Sequence, residues 1–199
     1  MKKNYILLLF AILAVTLGAC ANANSATNTI SEVELTDREK AILSTTAEES
    51  FVFDFDIGDG QKKITVWVEK YETGKLVDDL SHITTQVEQN GSIIFTSPEN
   101  FNEKQKNFTI GIENNGSTSS INGFDENADG LADMSRVWST IQGTKTWSEG
   151  KVTLASICYS NDEHGVSELS SEFLNDVAGH MDELKQYDVA YLLKATFTD

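Results

Sequence analysis

Oxygen-bearing side chains recur at short, regular intervals in residues 125–133 of this 199-residue chain. Side-chain oxygens stand at the first, third, fifth and ninth places of that segment, which are Asp125, Asn127, Asp129 and Asp133. The sixth place is Gly130. A loop that winds around a hard cation presents alternate side chains inward, and glycine permits the sharp turn that the winding needs. The chemistry that this pattern could perform is therefore the binding of a hard cation.

The same segment resembles the start of the calcium-binding loop of EF-hand and dockerin-type proteins. The resemblance implies that calcium is bound by four side chains and one backbone carbonyl, those of Asp125, Asn127, Asp129 and Asp133 and that of Leu131. The twelfth place, where these families carry a bidentate acidic residue, is Arg136, so we expect weak binding, with a dissociation constant of about 0.1 to 1 mM. The alternative is an acidic surface turn that binds no ion.

Catalytic signatures are missing from the sequence. The chain contains no Gly-x-Ser-x-Gly, no His-Glu-x-x-His, no phosphate-binding loop and no Cys-x-x-Cys, and His82, His164 and His180 are too scattered to suggest a metal set. With 31 acidic residues, pairs of carboxylates are too common to indicate a catalytic acid and base. The sequence therefore favours a non-catalytic protein, and a hydrolase acting on envelope polymers is the alternative.

The N-terminal segment determines where the protein is expected to reside. Lys2 and Lys3 precede an apolar run that ends in Leu-Gly-Ala-Cys at residues 17–20, which is the layout of a secretory signal. These four residues resemble the lipobox of bacterial lipoproteins. The resemblance implies that residues 1–19 are removed and that Cys20 carries diacylglycerol and a further fatty acid such as palmitate. The protein would then be anchored at the extracytoplasmic face of the cell membrane, or in an outer membrane if the organism has one; the alternative is a plain signal peptide.

The net charge of the chain limits the classes of partner that the protein is expected to bind. Removal of Lys2 and Lys3 with the signal takes the formal net charge from −16 to −18, and no basic face for nucleic acid is visible. We expect a membrane-anchored binding or structural role in the cell envelope, with an envelope protein or an envelope polymer such as a glycan as partner.

Once Cys20 is lipidated, Cys158 has no disulfide partner, and its apolar surroundings predict that it packs as a small apolar residue. A catalytic thiol would need a nearby histidine.

Short alternating segments dominate the rest of the chain. Alternation of apolar and polar residues predicts strands at residues 51–57, 63–70, 83–87, 92–96, 108–112, 117–121, 135–141, 151–159 and 188–197. Glycine- and asparagine-containing turns at residues 58–60, 90–91 and 115–116 predict that neighbouring strands form hairpins. Thr36 with Glu39 predicts a capping box before a short helix, and helical spacing of apolar residues predicts an amphipathic helix at residues 167–185.

These elements predict a mainly β protein, an antiparallel β-sandwich of immunoglobulin-like or similar type with one C-terminal amphipathic helix packed on it. The predicted organisation is a signal peptide at residues 1–19, a flexible tether at 20–36 and one globular domain at 37–199. Trp67, Trp138 and Trp147 lie in or beside strands. Packing is the expected use of these side chains, and an aromatic platform of the kind found in sugar-binding sandwiches is the alternative.

Overall fold

The computed structural model describes residues 28–58, 63–98, 104–147, 150–163 and 165–198. Within these ranges the α-helices are short: α1 (Asp37–Leu43), α2 (Ser171–Asn175) and α3 (Val177–His180). The strands are β1 (Asn28–Glu32), β2 (Glu49–Asp56), β3 (Lys63–Glu72), β4 (Lys75–Gln86), β5 (Asn90–Ser97), β6 (Lys106–Asn114), β7 (Ser117–Asp125), β8 (Ser135–Thr140), β9 (Thr144–Trp147), β10 (Lys151–Ser160) and β11 (Val189–Thr198).

The strands form two antiparallel sheets. One sheet has six strands in the order β7-β6-β5-β2-β1-β9, and the other has five in the order β4-β3-β11-β10-β8. The C-terminal strand β11 pairs with β3 and β10 and thus lies in the middle of its sheet, as its apolar sequence predicts. The mainly β, antiparallel fold predicted from the sequence is therefore confirmed.

One hydrophobic core lies between the two sheets. Alternate residues of β2 contribute Phe51, Phe53 and Phe55, each at most 5% exposed, and the facing sheet contributes inward side chains such as Val66 and Leu193. Strand side chains alternate between the two faces of a sheet. Lys70 near the end of β3 and Lys106 at the start of β6 are therefore on the same face as the apolar core residues of their strands, and both are buried.

The five-stranded sheet is covered on its outer face as well. Cys158 is fully buried there in a second apolar cluster with Phe173 and Leu184, which confirms that it packs as a small apolar residue. Burial raises the pKa of this thiol to about 12, although Ser156 opposes the rise. A thiol with so high a pKa stays protonated at neutral pH and is a poor nucleophile.

The predicted continuous helix at residues 167–185 is wrong. The segment instead contains α2, a break at Asp176 with φ −139° and ψ 80°, α3, and a 3-10 turn at Met181–Gln186. Asp176 accepts a hydrogen bond from the Gly179 amide at 3.1 Å, and a Cβ at position 179 would approach the Asp176 carboxylate to 2.4 Å. Local capping by the aspartate thus overrides the helical spacing, because aspartate and glycine are weak helix formers.

Two of the predicted hairpins are wrong and one is correct. β6 and β7 form the hairpin predicted at Asn115 and Gly116, both of which have positive φ. The turns predicted at residues 58–60 and 90–91 were expected to pair β2 with β3 and β4 with β5, but both connections pass from one sheet to the other. Gly91 lies inside β5, where a Cβ would clash with Phe55, and not in a turn.

The N-terminal boundary of the folded domain also differs from the prediction. Residues 28–32, predicted to belong to a flexible tether, form β1, which pairs with β2 and β9. Ile30 is fully buried in the core, and this single apolar anchor together with two strand neighbours orders an otherwise polar segment. After β1, the capping box predicted at Thr36 and Glu39 is present at the start of α1.

The two sheets leave strands β8 and β9 at the same edge of the protein. Thr140 at the end of β8 is hydrogen-bonded to Glu32 at the end of β1, so the edge of one sheet approaches the other. In the part of the chain that the structure describes, the helices are all too short to cross a bilayer. Cavities lie beside β8 at this edge.

Candidate ligand-binding site

The acidic loop predicted to bind calcium is organised by a lysine. Asp125, at the end of β7, is 3% exposed, and its carboxylate contacts the Lys70 ammonium at 2.8 Å and accepts a hydrogen bond from the Tyr191 hydroxyl at 2.7 Å. Lys70 also donates to the backbone carbonyl of Asn127 at 2.9 Å and lies 3.0 Å from Glu72. A cationic group of the protein itself therefore occupies the inner side of this loop.

The pKa of Asp125 reflects this environment. Burial opposes ionisation of the carboxyl group, but hydrogen bonds from Lys70, Tyr191 and the Asn127 amide outweigh it and lower the pKa. Burial likewise opposes the charge on Lys70, and its contacts with Asp125 and Glu72 raise its pKa. Both groups are therefore charged at neutral pH, and they form a buried ion pair.

The other predicted calcium ligands are not gathered around one point. Gly130 has the positive φ, 79°, that the predicted sharp turn needs, but Asp129 and Asp133 are exposed, and the side chain of Leu131 is buried in the core. Among the described residues, three or more histidine, cysteine, aspartate or glutamate side chains do not converge in a way that could hold a metal ion. Calcium binding by this loop stays a prediction from the sequence.

A cavity of about 370 Å³ lies at the β8 edge of the protein. Its lining joins the start of β6, strand β8, the end of β10 and the residue just before β2, and it includes Lys106, Arg136, Trp138, Tyr159 and Glu48. Ligand pockets in proteins commonly enclose 300 to 1,000 Å³ and combine apolar walls with a few convergent polar groups. This cavity has that character, with two cations and two aromatic rings.

Lys106 is the most buried charged residue of the cavity. Its exposed fraction is 1%, its nearest ionic partner is Glu48 at 3.7 Å, and its ammonium lies 6.0 Å from the centre of the Tyr159 ring. Burial lowers the pKa of Lys106, although Glu48 opposes the change. An ammonium group has three donors and is a strong partner for anionic oxygens.

Arg136 provides the second cation. Its guanidinium contacts Glu48 at 2.6 Å and Glu49 at 3.4 Å, and it lies 5.6 Å from the centre of the Trp138 ring. Its Nε is buried without a hydrogen-bond partner in the described residues. Arg136 is also the residue that departs from the calcium-loop pattern, and it lies on the same face of β8 as Trp138.

Trp138 connects this cavity to its neighbours. This residue is 42% exposed and also borders a second cavity, of about 250 Å³, whose lining includes Thr140 and Leu169. A third cavity, of about 710 Å³, shares Glu48 with the first and Thr140 with the second. Each cavity therefore shares lining residues with the other two, and each includes at least one residue of β8; we call the three together the β8 groove.

The other tryptophans are placed differently. Trp67 is 3% exposed and is sandwiched between His82, stacked at 5.7 Å, and the ammonium of Lys151 at 5.1 Å, so packing is its role, as predicted. The side chain of Trp147 lies outside the described residues, as do Cys20 and His164. Of the two tryptophans whose side chains the structure describes, Trp138 is thus the exposed one.

The sequence contains a signal for the buried lysines that the prediction missed. Lys70 follows Ile64, Val66 and Val68 at intervals of two residues, and Lys106 precedes Phe108 and Ile110 in the same way. Parity with buried neighbours places both side chains on the inner face of their strands. Arg136 gives no such signal, because β8 is short and neither of its faces carries a run of apolar residues.

Comparisons with known proteins identify a family. Residues 29–197 match the family model described as the YgaN domain. The curated proteins and the solved structures that were compared include no match to this chain. The matched range begins within β1 and ends within β11, so it coincides with the folded domain. The chain therefore belongs to the YgaN domain family.

Proposed function

We propose that this protein is a lipid-anchored, extracytoplasmic binding protein of the cell envelope with no catalytic activity, and that the β8 groove holds its ligand. The anchor is Cys20, by its resemblance to the lipobox. β1 begins at Asn28, eight residues after Cys20. So short a separation along the chain would keep the domain close to the membrane.

An envelope polymer, such as a glycan, is the ligand that we favour for the groove. The observation that carries this proposal is the exposed Trp138 at the junction of two cavities of the β8 groove. An aromatic ring offers a flat apolar surface, and the polar lining offers hydrogen bonds to hydroxyl groups. An immunoglobulin-like sandwich belongs to the same proposal, and its support is the pair of antiparallel sheets that share one core.

Co-sedimentation with insoluble envelope glycan tests the binding role. We expect the native, detergent-extracted protein to sediment with the glycan and Trp138→Ala to lose most of that binding. Phe124→Ala is the matched control, because Phe124 is an aromatic residue 49% exposed on β7, on the opposite edge of the protein. Equal loss of binding in both variants, or no sedimentation of the native protein, would contradict the proposal.

Intact-mass measurement of the same native material tests the anchor. Lipidation predicts a chain that starts at Cys20 and carries the mass of diacylglycerol, with or without a further acyl group. A Cys20→Ser variant should remain unprocessed or be released without lipid. An unmodified Cys20 in native material would contradict the anchored location.

A further inference from the structure

We propose that the cavity bounded by Lys106, Arg136 and Trp138 is a binding site for the carboxylate of an acidic sugar, such as a uronate unit within a glycan. The inference deepens the proposed function and rests on it, because it names the chemical class of ligand that the β8 groove selects.

The first argument is the chemistry of the two cations that line the cavity. Lys106 and Arg136 both belong to its lining, and the carboxylate nearest to the Lys106 ammonium is that of Glu48, 3.7 Å away. A ligand that enters the cavity therefore meets an ammonium and a guanidinium group. Carboxylates suit both partners, because ammonium and guanidinium groups form their strongest hydrogen bonds with anionic oxygens.

The second argument is the local balance of charge. The chain as a whole is strongly acidic, yet two cations converge here on the single carboxylate of Glu48. Glu49 also contacts Arg136, at 3.4 Å, but it is not among the residues that line the cavity. The lining therefore carries two cationic side chains and one anionic side chain, which favours a ligand with a negative charge.

The third argument concerns the rest of the ligand. Trp138 is 42% exposed and lines the same cavity as the two cations, and the Arg136 guanidinium lies 5.6 Å from the centre of its ring. A sugar ring that packs on Trp138 would bring a carboxylate substituent within reach of Arg136 at the edge of the same cavity. The continuation of the groove past Trp138 into the second cavity accommodates the neighbouring units of a polymer.

Titration of the full-length chain in detergent, followed by the tryptophan indole signals in two-dimensional NMR spectra, tests the site. The probes are sodium D-glucuronate, its methyl ester, D-glucose and a peptide that ends in glutamate. We expect glucuronate to shift the Trp138 signal, assigned with Trp138→Phe, and to bind at least tenfold more tightly than the ester or glucose. The Trp67 signal should not move.

Variants establish which charges matter. Lys106→Met should weaken glucuronate binding at least tenfold, and Glu48→Gln should tighten it several-fold because a like charge is removed. Lys151→Met is the matched lysine control, since Lys151 lies over Trp67 on another face, and Glu126→Gln is the exposed acidic control. Both controls should bind glucuronate as the wild type does.

The outcomes separate the two proposals. Equal binding of glucose and glucuronate would overturn the carboxylate site and leave a glycan-binding groove standing. Stronger binding of the glutamate-terminated peptide than of glucuronate would overturn the assignment to a sugar. If none of the probes shifts the Trp138 signal, and envelope glycan also fails to bind, both the inference and the proposed function are wrong.

Discussion

Lys106 holds a charged group at a position that is 1% exposed with one carboxylate 3.7 Å away. Removal of that charge should stabilise the protein, because Glu48 keeps its closer contact with Arg136 and is not left unpaired. We expect Lys106→Met to raise the free energy of unfolding by on the order of 1 kcal/mol at pH 7 while it weakens glucuronate binding. Urea denaturation measures the change.

The pH dependence of that gain has a definite sign. Burial lowers the pKa of Lys106 in the folded state, so the unfolded chain binds the proton more tightly. The stability difference between Lys106→Met and the wild type should therefore be full below the folded-state pKa and shrink as pH rises towards about 10.4, the ordinary value for lysine. A lower stability for Lys106→Met at pH 7 would contradict this description of the site.

Removal of the charge on Lys70, in contrast, should destabilise the protein. Lys70→Met leaves a buried carboxylate without its cation and should cost about 3 to 5 kcal/mol of unfolding free energy. Because the folded-state pKa of Asp125 is lowered, its contribution is present above about pH 3.9 and is lost as pH falls through the folded-state value. Lys63→Met, at the exposed start of β3, is the control and should change stability by less than about 0.5 kcal/mol.

Calcium binding can be decided at the same loop. A calcium ion at residues 125–133 would have to displace Lys70 from the Asp125 carboxylate. We therefore expect millimolar calcium to leave the melting temperature of the wild type unchanged. A rise in melting temperature that is lost in Asp129→Ala would show that the ion displaces the lysine and that the sequence pattern does mark a calcium site.

At the scale of elements, strands β4 and β7 approach each other closely. Ser81 in β4 has a positive φ of 56° and a buried Oγ without a hydrogen-bond partner in the described residues, and it lies against Gly123 of β7. A Cβ at position 123 would lie 2.0 Å from that Oγ, whereas one at Gly111 of the neighbouring β6 would meet its nearest atom at 3.6 Å. The glycine at position 123 is thus required by the neighbouring strand.

Alanine substitutions test this approach of the two strands. Gly123→Ala should lower the unfolding free energy by about 1 to 3 kcal/mol through overpacking, and Gly111→Ala should change it by less than about 1 kcal/mol. Addition of Ser81→Gly to Gly123→Ala should restore much of the loss, because it removes both the clashing side chain and the positive-φ strain. Equal effects of the two alanines in thermal melts would contradict the packing described here.

Strands and helices could be predicted from the sequence where their formation depends on residues close together in the chain. Alternation predicts most strands because burial on one face requires it, but it misses β1 and β9, which are short and mostly polar. Turn residues are the same whether a connection forms a hairpin or passes to the other sheet, so the pairing of β2 and β5 could not be read from Gly91. The break at Asp176 depends on one side-chain hydrogen bond to Gly179, which helical spacing does not reveal.

At the scale of the whole molecule, the site depends on the edge of the fold. Among the strands that the structure describes, β8 is the last of its sheet and has no neighbour on its outer side, and the cavities lie beside it. The sequence predicts each of the three tryptophans equally as packing residues, because exposure depends on which strand lies at an edge. Only the assembled sheets distinguish Trp138 from the buried Trp67.

Hydrogen–deuterium exchange of the full-length chain, with and without envelope glycan, tests the central claim that the β8 groove is the binding site. Bound ligand should slow exchange of amides in β8 (Ser135–Thr140) and leave β4 (Lys75–Gln86), the edge strand on the opposite side, unchanged. Slower exchange in β4 without any change in β8, under conditions where the glycan sediments with the protein, would show that the ligand binds elsewhere.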